Sequence, residues 1–192
     1  MNNKRQTEIK SFLIREFGEQ KGGVLFEKQE ALFRALIEQT NGKSESQTKT
    51  LTQTILPVIA MYKALAEHRP EKALNIVRKY MIDIVGVAKN GSMKRMERVP
   101  GFFNLYEKIF LKVMRTSDLW ESTQKRGENH FDVIITKCLW HDSCVENGCP
   151  ELCRLFCDVD DVTYGGLNKM KFSRTRSLGC GGDCCDFHFS KK

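Results

Sequence analysis

Apolar residues recur along the first 120 positions at the spacing of one face of a helix. Ile9, Phe12, Leu13 and Phe17 form a first stripe, and Leu25, Leu32, Phe33, Leu36 and Ile37 form a second after Gly22 and Gly23. Ser44 and Gln47 have the spacing of a capping box that opens a third helix through Leu51, Ile55, Ile59, Tyr62 and Leu65, with Pro57 expected to kink it. Pro70 suits the first turn of a fourth helix, whose apolar face is Leu74, Val77, Met81, Ile84 and Val85. A loop is expected over KNGSMKRMERVPG, and a fifth helix near Pro100 uses Phe103, Tyr106, Ile109, Phe110, Val113 and Met114.

Beyond residue 130 the period shortens to two. FDVIITKCLW (131–140) is β-branched and reads as a strand. Pro150, after the breaker Gly148, opens one short helix. MKFSRTRSLG (170–179) and CCDFHF (184–189), joined by GCGGD, read as an antiparallel hairpin. The pattern predicts an α+β protein: an N-terminal helical bundle followed by a small antiparallel β-sheet with one inserted short helix. A single domain over 1–192 is expected, helical in 1–120 and cysteine-rich and sheet-forming in 130–190.

Composition narrows the class. Of 192 residues, 41% are hydrophobic and 29% charged, and no run approaches the roughly 20 apolar residues of a membrane span. No signal-type segment opens the sequence, so a cytoplasmic protein is expected. The net charge of +7 comes from residues 1–100, with 18 Lys and Arg against 11 Asp and Glu; residues 101–192 balance at 13 each. No aromatic array interleaves the basic residues, so neither nucleic acid nor a membrane is the expected partner; a small-molecule substrate is, and a homodimer is compatible with the sequence.

The chemistry gathers at the other end. All eight cysteines lie between Cys138 and Cys185, and reduced thiols fit this chain better than a secreted disulfide scaffold. In ENGCPELCRLFCDVDD, a helix stacks Cys149, Cys153 and Cys157 on one narrow face. One regular helix does not turn three sulfurs onto one tetrahedral metal, and a buried thiol stripe is the more frequent outcome. Cys149 near a helix start favours a thiolate, whereas Cys157 beside Asp158, Asp160 and Asp161 suits a cation. A metal site, a reactive thiol and a core stripe all stay open. Strand alternation sets Arg174 and Arg176 on one face as carboxylate anchors or solvated side chains. It pairs Asp186 with His188, as acid and base, as ligands or as a surface salt bridge. If the first strand neighbours the hairpin, Cys138, Cys157 and Cys185 converge.

The ordered series CLW, PELCRLFCDVD, YGGL, FSRTRSLGCGG and CDFHF, with MERVPGFFNLYEKIF upstream, resembles the L-2-amino-thiazoline-4-carboxylic acid hydrolase family over roughly residues 90–189. That resemblance implies hydrolytic opening of a cyclic, thiazoline-like substrate bearing a carboxylate, to a carbamoyl-cysteine. Such chemistry needs a carboxylate anchor, a nucleophile or activated water, and a proton donor. Arg174 and Arg176 fit the first. Cys157 or Cys185 fits the second as a nucleophile; with Cys138 and Asp160 they would alternatively ligate a divalent metal such as zinc. Asp186 and His188 would move protons. Cys144, Cys149, Cys153, Cys180 and Cys184 are extras beyond the motif series. Two other classes fit the pattern: a ligand-binding α+β domain like those of vinyl reductase and nitric-oxide sensor proteins, and a cysteine-based metal or redox protein.

Overall fold

The computed structural model describes residues 4–192. It confirms the expected class: helices first, then a four-stranded antiparallel sheet. The chain divides into two compact units, with the boundary after Tyr80.

The first unit holds α1 (Lys4–Phe17), α2 (Glu19–Glu38), α3 (Glu45–Thr50), α4 (Leu56–His68) and α5 (Pro70–Lys79). The break between α1 and α2 falls at Gly18, whose φ of 78° belongs to the left-handed region that glycine reaches without strain. It does not fall at the expected Gly22–Gly23, which lie inside α2. Gly22 is there for closeness: a Cβ on it would sit 2.6 Å from Ile14 Cα and from the Leu13 carbonyl oxygen. The capping box forms as read, Ser44 Oγ accepting from the Gln47 amide at 3.1 Å. Pro57 sits in the first turn of α4, directly after a π-helical stretch, Leu51–Ile55. Its carbonyl accepts from the buried Gln29 side chain at 3.1 Å, and Gln29 also donates to Gln6 at 2.8 Å.

The second unit begins within the π-helical stretch Tyr80–Gly86. It holds α6 (Val87–Met96), α7 (Phe102–Thr116), β1 (Trp120–Arg126), β2 (His130–Cys138), α8 (Leu139–Glu146), α9 (Cys153–Tyr164), β3 (Met170–Ser173) and β4 (Cys185–Lys191). The sheet order is β1-β2-β4-β3, antiparallel throughout, so β2 does neighbour the hairpin. Its inner face carries Phe131, Val133 and Ile135 from β2 and Cys185, Phe187 and Phe189 from β4, all buried, against Phe103, Tyr106 and Phe110 of α7. Phe131 and Phe189 stack at 4.7 Å between ring centroids.

Four local expectations are corrected. Of the loop expected over 89–101, residues 89–96 are helical, and Asn90 donates to the carbonyls of Thr163 and Gly165, closing the end of α9. β1 was not anticipated, because WESTQKR is a polar edge strand whose residues alternate between half-buried and exposed. β2 stops at Cys138, and Leu139 opens α8, so two helices follow this strand instead of one. Its end is marked by Trp120 and Trp140, stacked at 5.3 Å and 9°. The strand expected over 170–179 is β3 alone; residues 174–184 leave the sheet as a loop with a 3-10 turn, Leu178–Cys180.

Candidate functional site

The expected i, i+4, i+8 stack on one helix does not form. Cys149 precedes the turn Pro150–Leu152, Cys153 is the first residue of α9, and Cys157 lies one turn further. What forms instead is a chain of sulfurs drawn from several elements. Cys144 of α8 lies close to Cys149 and Cys153; Cys153 lies close to Cys157; and Cys157 is also neighboured by Cys185, the first residue of β4. Cys138, at the end of β2, lies near Cys157 as well. Three separated segments therefore meet at Cys157. All eight cysteines are thiols.

Close packing builds this meeting. The turn Leu178–Cys180 lies directly on α9: a Cβ on Gly179 would stand 2.9 Å from Cys157 Sγ and 3.0 Å from the Arg154 nitrogen and the Cys153 carbonyl carbon. The same turn orients Cys185, whose Sγ accepts from the Leu178 amide at 3.3 Å.

Electrostatics single out Cys157. The Cys153 and Cys185 thiols beside it, the positive charge of Arg174 and the nearby Ser177 hydroxyl together outweigh burial and hold its pKa far below the ordinary thiol range. Cys185 moves the opposite way, because donating to Cys157 and being buried both keep its proton on. Burial pushes the Cys138 thiol up to about 11, against the amides of His141 and Trp140.

Arg174 sits in the loop after β3 with its side chain only 10% exposed. One guanidinium nitrogen, Nη2, donates to Asp161 at 2.6 Å. The other, Nη1, is buried with no hydrogen-bond partner among the described residues, and so is Ser177 Oγ, which lies beside Cys157 but outside hydrogen-bond geometry. A buried guanidinium with a vacant fork is costly unless something planar and anionic completes it.

Asp160 adds a proton store. Burial pushes its carboxyl up to about 7 although the residue keeps some exposure; Lys89 and Arg174 oppose the rise, and Cys157 and Asp161 add to it. Beyond it, Tyr106 and Tyr164 share a 2.7 Å hydrogen bond, and burial raises the pKa of both. Because Asp160 titrates near 3.8 when unfolded, the folded chain binds an extra proton between the two values. The stabilisation that this proton provides is full below about 4 and is lost as pH rises through about 7. Asp160→Asn, neutral at every pH, is expected to be more stable than the parent at pH 8 by an order of a few kcal/mol, and not at pH 4. Denaturant midpoints of both proteins at the two pH values check this; a pH-independent difference would refute it.

The remaining expected residues stand apart. Asp186 does not pair with His188. Burial opposes its charge, but the Thr175 hydroxyl and the Arg176 and Thr175 amides hold its carboxyl below the usual range. It braces the loop. His188 Nδ1 lies 2.6 Å from Asp132, its register partner on β2, and both face the outer side of the sheet. A hollow of about 170 Å³ there is lined by Asp132, Asp186, His188 and Arg174 among others. Arg176 is half-exposed at the rim, bonded to Asp183 at 2.9 Å. Among the described residues no three His, Cys, Asp or Glu side chains have the arrangement of a metal site, so Cys138, Cys157 and Cys185 gather without forming one. Sequence reasoning missed the contribution of Cys153, Ser177, Lys89 and the tyrosine pair. Cys153, Ser177, Tyr106 and Tyr164 all lie within the motif series, which marked their segments without giving their roles; Lys89 lies outside it.

This is a thiol centre in an α+β fold. The chain belongs to the L-2-amino-thiazoline-4-carboxylic acid hydrolase family, whose profile matches residues 47–189. Among curated proteins none matches it. Solved structures similar to it include three H-NOX proteins. That of K. algicida, in the unliganded Fe(II) state, is 12% identical, with 100% of this chain and 97% of that chain covered and a TM-score of 0.39. That of Shewanella woodyi is 14% identical, with 100% and 95% covered and a TM-score of 0.37. That of S. oneidensis, in the Fe(II)NO state, is 13% identical, with 100% and 99% covered and a TM-score of 0.35. Likeness at that level carries no argument about ligand or activity. No helix among the described residues is long and apolar enough to cross a membrane.

Proposed function

We propose that the protein is a thiol-dependent hydrolase that opens a small thiazoline-type ring bearing a carboxylate, with Cys157 as nucleophile. One observation carries this reading: Arg174 keeps a buried Nη1 without a partner, and the charge of the same guanidinium helps to ionise the Cys157 thiol. An anion anchor next to a nucleophile is what a small carboxylated electrophile needs, and membership of the family supports the reaction class.

The substrate carboxylate completes the Arg174 fork. Cys157 Sγ attacks the ring carbon between nitrogen and sulfur. The ring carbon–sulfur bond then breaks, its electron pair leaves with the ring sulfur, and Asp160 protonates that sulfur. The product of this half is an isothiourea joining the substrate carbon to Cys157. Water attacks the same carbon, Asp160 takes up its proton, and Cys157 departs as thiolate, leaving a carbamoyl-cysteine. The net reaction consumes one water, and the enzyme ends as it began.

Incubating the protein with 2-amino-thiazoline-4-carboxylate tests this. Release of a carbamoyl thiol, with the acid-quenched protein carrying the substrate carbon skeleton on the peptide that contains Cys157, is the expected result. Turnover with no adduct on Cys157 and full resistance to its alkylation would remove Cys157 from the reaction.

A further inference from the structure

We propose that Cys157 is also a site of reversible oxidation by hydroperoxides, with Cys185 as the resolving thiol and an intrachain Cys157–Cys185 disulfide as the product. The inference deepens the reading of Cys157 as the reactive thiol of this chain, but it stands on placement. Cys157 retains partial exposure and is touched by two thiols, one from its own helix and one from β4.

Geometry separates the two candidates. Cys153 and Cys157 are four residues apart on α9, and Cβ atoms so related on a helix lie roughly 5–6 Å apart. A disulfide requires about 3.5–4.5 Å, so joining these two would unwind the first turns of α9. Cys185 comes from another element and is free of that constraint. It begins β4 just after a loop that contains Gly181, with a φ of 81°, and Gly182, so the backbone before it has room to adjust. Both sulfurs lie against the one turn Leu178–Cys180: Cys157 Sγ is 2.9 Å from where a Gly179 Cβ would stand, and Cys185 Sγ accepts from the Leu178 amide at 3.3 Å. Cys138, near Cys157 as well, is held directly between β2 and α8 with no loop beside it to give.

The chemistry balances on two thiols and one hydroperoxide. The Cys157 thiolate attacks the outer peroxide oxygen; a sulfur–oxygen bond forms, the oxygen–oxygen bond breaks, and an alcohol or water leaves with a proton. Cys185 then attacks the sulfenic sulfur, forming the disulfide and expelling hydroxide, which takes the Cys185 proton and leaves as water. The peroxide is reduced by the two electrons that the thiols lose. While the bond stands, Cys157 has no lone thiolate to offer a substrate, and a dithiol reductant restores it. Without Cys185 in contact, the sulfenic acid would be open to further, irreversible oxidation.

The reduced full-length protein, treated with stoichiometric hydrogen peroxide, alkylated and mapped by mass spectrometry, tests the proposal. The expected result is loss of two hydrogen atoms from the intact mass, a linked Cys157–Cys185 peptide, and reversal by dithiothreitol. Cys185→Ser is expected to trap Cys157 as a dimedone-reactive sulfenic acid and then as the sulfinic acid. A first-formed disulfide between any other pair, or a Cys157 that stays fully alkylatable, would overturn it. Ring opening assayed on the same samples keeps the two readings apart. A Cys157–Cys185 disulfide in a chain that opens no thiazoline sustains the oxidation site and removes the hydrolase. Turnover by reduced protein whose Cys157 resists peroxide does the reverse.

Discussion

Cys157→Ser is expected to leave a folded protein whose ring-opening rate is lower by about a thousandfold or more, the scale on which loss of a nucleophile acts. Serine matches cysteine closely in volume, so the close contact with Gly179 and the packing of α9 persist. Its hydroxyl has too high a pKa for the neighbouring Cys153 and Cys185 thiols and the charge of Arg174 to ionise it near neutrality. The parent makes a second readout available. Because the Cys157 pKa is depressed, its sulfur stays ionised as pH falls through the range in which ordinary thiols are protonated, and iodoacetamide should label it first at pH 5. Steady-state rates, circular dichroism and the pH profile of alkylation check the three statements. Full turnover by the serine variant would end the assignment, whereas lost turnover with lost secondary structure would show only that the thiol holds the fold.

The largest effect on stability is expected at Phe131. It is 0% exposed and lies within reach of four other rings, at centroid distances of 4.7 Å to Phe189, 5.8 Å to Phe103, 5.9 Å to Phe110 and 6.5 Å to Tyr106. Phe131→Ala should destabilise the protein by about 3–5 kcal/mol, combining the lost transfer energy with the cavity left behind. The cavity would be hard to refill, because its walls are rings fixed by α7 and β4. Denaturant midpoints of parent and variant measure this. A cost below about 1 kcal/mol would mean that the cluster collapses freely around the gap.

Which parts of this molecule could be read in advance follows from how locally each was determined. The buried rows Phe131-Val133-Ile135 and Cys185-Phe187-Phe189 were legible because a sheet with one covered face writes its burial into alternate positions. β1 was not, since an edge strand of WESTQKR has little apolar surface to alternate. Residues 89–96 read as part of a loop from their asparagine, glycine and lysines, yet tertiary context made them a helix that uses Asn90 to cap α9.

The site divides in the same way. The neighbourhood of β2 and β4 brings Cys138 and Cys185 toward α9, and strand order made that legible as a condition. The thiol donation to Cys157 depends on a 3-10 turn packing against α9 with no side chain at Gly179, which no spacing encodes. Asp186 and His188 looked like partners because they share a strand face. In fact each is engaged by a different neighbour, Asp186 by Thr175 and Arg176, and His188 by Asp132 across the sheet. Arg174 was expected on a strand and lies in a loop, where it reaches both Asp161 and the surroundings of Cys157.

Trp120 and Trp140 are the two tryptophans of the chain, and they lie face to face at the end of β2, beside Cys138. Indoles so close and nearly parallel exchange excitation, so the ultraviolet dichroism and emission of the whole protein report on one junction. Any event that tilts α8 against the strand end registers as an optical change, without a dye or a label.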